Sequence, residues 1–81
     1  MSQKLSPGSY VVGLKQSLKA ISAGKAKKVL LADDADYRIS SAVSDACLEG
    51  GVELEISLSK SELGKMCGID VDAAVVTILS Y

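Results

Sequence analysis

Hydrophobic and polar positions along this chain switch between a period of about 2 and a period of about 3.6, and each switch marks a new element. Tyr10-Val11-Val12 is a short apolar run closed by Gly13, a candidate first strand behind the turn Ser6-Pro7-Gly8-Ser9. Leu14, Leu18 and Ile21 then recur at i, i+4 and i+7, with Lys15, Gln16 and Lys19 on the other faces. That spacing predicts an amphipathic helix, which Gly24 stops. Val29-Leu30-Leu31-Ala32 is apolar without a break, as expected of a strand buried on both faces at the centre of a sheet. Asp36 is a fitting N-cap for a second helix with the stripe Ile39, Val43, Ala46 and Cys47, ended by Gly50-Gly51. Val52, Leu54, Ile56 and Leu58 alternate with Glu53, Glu55 and Ser57, the period of a strand with one wet face. Its glutamates suit the edge of a sheet. Ser59 and Glu62 form a capping box that opens a short helix through Leu63, Met66 and Cys67, stopped by Gly68. Val75-Val76-Thr77-Ile78-Leu79 follows as a second buried strand.

The order β-α-β-α-β-α-β with short connections predicts a three-layer α/β/α sandwich, a mixed four-stranded sheet with three helices. Eighty-one residues, 48% hydrophobic and 23% charged, fit one domain over residues 1–81 with a single folded unit. Apolar runs such as Ala73-Ala74-Val75-Val76 fall far short of the ~20 residues of a membrane span. Val11-Val12 is interrupted by Gly13 and Lys15, so no apolar segment of a secretory signal is expected. There is no histidine, and Cys47 and Cys67 are the only cysteines. Zinc sites of paired cysteines and histidines, His-based acid–base centres and Ser-His-Asp triads are thereby excluded. Two cysteines make no disulfide framework, and a monomer in a reducing cytoplasm is the simple expectation.

Charge changes the picture more than composition does. The net charge is −1, yet residues 1–32 hold six lysines (Lys4, Lys15, Lys19, Lys25, Lys27 and Lys28) and no acid. The remainder holds all ten acids against Arg38, Lys60 and Lys65. Such segregation is expected of a polyanion-binding face backed by an acidic one, the alternative being a cluster on an ordinary solvated surface.

Candidate chemistry is sparse. Asp33, Asp34 and Asp36 follow a buried strand, where open α/β sheets bind ligands, and paired carboxylates there could hold Mg²⁺ or exchange protons. The competing explanation, favoured because no convergent partner is in sight, is that Asp36 caps a helix and the others are solvated; no metal or other cofactor is expected. Cys47 and Cys67 lie on apolar helix faces and read as packing residues. The glycines match neither a phosphate loop nor a dinucleotide fingerprint. The first helix is better material. Gly13 frees the backbone for close approach, and Lys15, Gln16 and Lys19 put two cations and an amide beside a helix N-terminus, an arrangement that can hold phosphates and read a base edge.

Three segments, Gly13-Leu14-Lys15-Gln16-Ser17-Leu18-Lys19-Ala20, Val29-Leu30-Leu31-Ala32-Asp33-Asp34-Ala35-Asp36 and Glu62-Leu63-Gly64-Lys65-Met66-Cys67-Gly68-Ile69, together resemble the ribosomal L7Ae family, and its small bacterial ribosome-associated members most closely. The resemblance runs from about Tyr10 onward. It implies the same sandwich and binding to the kink-turn, an RNA duplex bent at a bulge beside tandem sheared G·A pairs. The family's Gly-x-Asn-Glu-x-x-Lys element falls on Gly13, Lys15, Gln16 and Lys19. Its pocket for a flipped-out nucleotide falls on Asp36 and Lys60, and its specificity loop on Ile69, Asp70, Val71 and Asp72. The residue after Asp36, commonly Pro in the family, is Tyr37 here. Ile69 and Val71 are expected to stand apolar and accessible, while Asp70 and Asp72 repel phosphate. Ribosomal RNA is one candidate partner. The alternatives are a ribosomal structural or assembly protein without kink-turn specificity, and a small-molecule α/β enzyme.

Overall fold

A computed structural model of the chain describes residues 9–80, so Lys4 and most of the expected turn at Ser6-Pro7-Gly8-Ser9 lie outside the described residues. The elements run β1 (Tyr10–Val12), α1 (Leu14–Ser22), β2 (Ala26–Leu31), α2 (Tyr37–Gly50), β3 (Glu53–Glu55), α3 (Lys60–Met66) and β4 (Val75–Leu79). The strands form one mixed sheet in the order β1-β4-β2-β3. β4 is antiparallel to both neighbours, with Tyr10 opposite Ile78 and Leu30 opposite Val76; β2 and β3 run parallel, with Val29 opposite Leu54.

Alternation along the central strands splits the apolar residues between two layers. Val29, Leu31 and Val75 face α1 and α2, where Ile21, Val43 and Cys47 meet them. Leu30, Ala32 and Val76 face α3, where they meet Leu63 and Cys67. The sandwich and the burial of both free cysteines follow the sequence pattern.

Four details differ from it. The buried stripe of α1 is Ser17, Ala20 and Ile21, while Leu14 and Leu18 are half-buried. Ser17 and Ala20 are small, and they sit where the helix lies against the sheet. β2 begins at Ala26, three residues early, because pairing with Leu79 and Ile78 carries the ladder across a bulge around Lys27. β3 stops at Glu55, so Ile56 is exposed; the chain then leaves for the opposite face, where the Leu58 carbonyl accepts from Asp33 N–H at 2.9 Å. Ile69 is half-buried rather than accessible. Its N–H donates to Gly64 O at 3.1 Å and Gly68 N–H to Lys65 O at 3.0 Å, a Schellman closure of α3 that folds Ile69 onto the apolar layer beneath.

Candidate nucleic-acid interface

Strand directions decide where the helices begin. β1, β2 and β3 all run against β4, so their carboxyl ends share one end of the sheet, and a helix starts or is approached from each. The segment 69–74 enters β4 at that same end. Hydrogen bonds tie the segments together: Gly13 N–H to Val75 O at 2.9 Å, Ala32 N–H to Ala74 O at 2.8 Å and Ala73 N–H to Lys60 O at 3.0 Å. Gly13, Asp36, Lys60 and the loop Ile69, Asp70, Val71 and Asp72, scattered over sixty residues of sequence, therefore surround one rim.

The three helix starts differ chemically. Asp36 Oδ1 accepts from Arg38 N–H at 2.8 Å and caps α2. α3 carries the full capping box between Ser59 and Glu62. α1 has no side-chain cap, because its N-cap is Gly13, held at φ 105° where a side chain would be strained. Its first turn holds no acid but does hold Lys15. A cation there opposes the helix dipole, which favours anions at this end. Among the described residues no side chain caps α1 and no acid stands in its first turn; a bound anion would offset the lysine there.

Lys15, Gln16 and Lys19 are all exposed. Gln16 and Lys19 line a shallow cleft of about 170 Å³ with Val11, Leu79 and Lys25, running along α1 from its first turn to just past its end. Beside the rim, Ile69, Asp70, Val71 and Asp72 form one wall of a groove of about 240 Å³, with Ser61 and Lys65 opposite. Val71 stands out at 67% exposure.

Not every expected grouping forms. The described lysines of that first stretch, Lys15 to Lys28, do not make one face. Lys28 Nζ lies 2.6 Å from Glu55 Oε1 and 3.4 Å from Glu53 Oε2 across the parallel ladder. The Glu55 hydrogen bond holds the Lys28 ammonium above its ordinary value, and the same bond holds the Glu55 carboxyl below its own. The carboxylate that meets Lys60 is Asp34, whose Oδ1 accepts Lys60 N–H at 2.9 Å, while Asp36 is engaged by its own helix. Asp34 and Asp36 thus work as backbone acceptors. Burial raises both thiols above their ordinary value, which keeps Cys47 and Cys67 in the neutral, weakly nucleophilic form.

A sequence profile of the Ribosomal protein L7Ae/L30e/S12e/Gadd45 family matches residues 1–81. The chain belongs to this family. An RNA-binding protein of Geobacillus kaustophilus is 43% identical over 93% of this chain and 92% of its own length. One from Caldanaerobacter subterraneus is 43% identical over 84% of this chain and 83% of its own. Among solved structures, a Giardia lamblia 15.5kD RNA binding protein superposes with a TM-score of 0.80 at 32% identity, covering 90% of this chain and 62% of that one. A Bacillus halodurans protein of unknown function gives a TM-score of 0.81 at 21% identity, which speaks for the fold alone.

Two cations of this L7Ae-family chain escaped the sequence argument. Lys25 was counted only in the charge, yet it joins Gln16 and Lys19 along one cleft. Lys65 lies within a quoted motif, and the Schellman turn swings Asp70 and Asp72 back beside it. A signal existed for the second, since Gly68 three residues on announces the turn that brings them together.

Proposed function

We propose that this chain, an RNA-binding protein of the L7Ae family, recognises kink-turn RNA with the rim where its three helices begin. The observation that carries the proposal is the uncapped start of α1 with Lys15, Gln16 and Lys19 exposed beside it. Backbone N–H groups and lysines hold phosphates there, and the Gln16 amide reads a base edge. Lys60 and the Val71 side of the loop 69–72 receive the unstacked bulge nucleotide, with Asp36 fixing the turn behind it. Lys65 offsets the repulsion of Asp70 and Asp72. Protein side chains cannot read a regular A-form major groove, so recognition works where bulges and sheared pairs open it. A protein that prefers the bent RNA shifts the population toward it and acts as an architectural clamp. A ribosomal RNA target, a cytoplasmic setting and a monomeric protein belong to the same proposal. The family and the names of the relatives are those of RNA-binding proteins, not of enzymes.

The test compares a kink-turn RNA with one whose sheared G·A pairs are replaced by Watson–Crick pairs, the bulge being kept. Tighter binding to the first is expected. Equal binding would leave the other function, a ribosomal structural or assembly protein docking by charge and shape. Lys19→Ala should weaken kink-turn binding by about 1–3 kcal/mol with little change in melting temperature.

A further inference from the structure

Tyr37 is out of place by the ordinary rules of burial. It is a large aromatic side chain at 81% exposure, and it is the exposed aromatic among the described residues, since Tyr10 is half-buried with its hydroxyl donating to Cys67 O at 3.0 Å. A ring that size gains by leaving water, which favours a partner that covers it. Its surroundings point the same way. Of the four large apolar side chains left exposed among the described residues, three adjoin the rim: Tyr37 follows β2, Ile56 follows β3 and Val71 precedes β4.

The position also gives the ring a direction and a rigid base. Tyr37 is the first residue of α2, and Cα–Cβ bonds in an α-helix tilt toward its N-terminus, so the side chain projects over the rim. The backbone beneath is held on both sides. Asp36 caps the helix through Arg38 N–H, and the Tyr37 carbonyl accepts from Ser40 Oγ at 3.3 Å. The neighbouring Arg38 adds a cation. An exposed aromatic face on a fixed backbone, beside positive charge at the edge of a phosphate-holding surface, is suited to stacking on an unpaired base.

We infer that Tyr37 is a specificity residue of the RNA site, its ring stacking on an unpaired nucleotide of the bound RNA. The inference rests on the RNA-binding function proposed above. It differs in kind from the α1 contacts, because stacking releases no counterions and should leave the salt dependence alone.

The experiment measures affinity as a function of salt for wild type, Tyr37→Ala, Tyr37→Phe and Lys19→Ala. Each is titrated with a kink-turn RNA carrying 2-aminopurine at each bulge position in turn, and with the Watson–Crick control that keeps the bulge. Tyr37→Ala should bind roughly 5- to 100-fold more weakly, the range for losing one base–aromatic stack, with an unchanged salt slope. Tyr37→Phe should restore binding and the quenching of 2-aminopurine at one bulge position. Lys19→Ala should lose affinity and flatten the slope. If Tyr37→Ala binds and quenches like wild type while Lys19→Ala loses affinity, the stacking role is overturned and the α1 site stands. If wild type binds both RNAs equally, kink-turn specificity fails instead, and the ratio of wild type to Tyr37→Ala on the bulged control decides the stack. Circular dichroism melting of Tyr37→Ala should match wild type, since an exposed ring contributes little to the fold.

Discussion

Among the described residues, two hydroxyls sit in the interior with nothing to bond. Ser17 Oγ on α1 and Thr77 Oγ1 on β4 are fully buried without a hydrogen-bond partner among the described residues. A hydroxyl stripped of water and left unpaired costs about 1–3 kcal/mol. Thr77→Val keeps the branched shape and removes the oxygen, so it should stabilise the protein by about 1 kcal/mol, read from the midpoint of urea unfolding. An unchanged or lower midpoint would mean the hydroxyl has a partner after all. Lys28 and Glu55 illustrate the opposite case, a satisfied pair at the surface. Glu55 is held below its ordinary 4.5, so its contribution is present above that pH and is lost as pH falls through the lowered value. Lys28 is held above 10.5, so its contribution is full below that pH and is lost as pH rises through the raised value. The melting-temperature gap between wild type and Glu55→Gln should therefore open around neutral pH and close in acid.

Among the elements, α3 and its loop meet backbone to backbone at Gly64. A Cβ on Gly64 would overlap the Val71 carbonyl oxygen and press on the carbonyl carbon behind it. Gly64→Ala must therefore push the loop 69–72 off the helix, at a cost of about 1–3 kcal/mol in chemical denaturation and with weaker RNA binding. If the loop is no RNA contact, stability should fall and affinity stay. How far each element was legible depends on what specifies it. The capping box, the glycine stops and the Asp36 cap are local chemistry, and the sequence carried them to the residue. β3 was overread because alternation reports which way side chains point, not how far a partner strand continues. The stripe of α1 was read from its large residues, but the close approach of helix to sheet selected Ser17 and Ala20. Ile69 looked free because the Schellman turn that buries it is written in backbone hydrogen bonds.

At the scale of the whole molecule, the candidate site was legible as residues but not as a shape. Gly13, Lys15, Gln16 and Lys19 announce themselves within seven positions, whereas their nearness to Lys60 and Val71 depends on strand direction, which periodicity does not carry. Charge misled by its total as well as by its clustering. Lys28 is neutralised by glutamates, yet Lys15, Lys19, Lys60 and Lys65 still border the rim or its clefts. If roughly four such lysines neutralise phosphates, log affinity should fall against log salt with a slope of about −3 to −4, despite an acidic protein. A flat dependence in a filter-binding titration would move the RNA elsewhere.

The position of β4 has one more consequence. It follows the other three described strands in sequence, yet it lies between β1 and β2 and supplies the antiparallel partner of both. Every residue proposed to touch RNA precedes Val75. As the chain leaves the ribosome, all the contact chemistry thus emerges before the strand that assembles it, and β1 has no neighbour until then. A chain ending at Ala74 should keep each lysine, the glutamine and the loop, yet show no cooperative melting and no kink-turn affinity. Placing the keystone after every contact residue makes RNA binding wait for a strand made later than any of them.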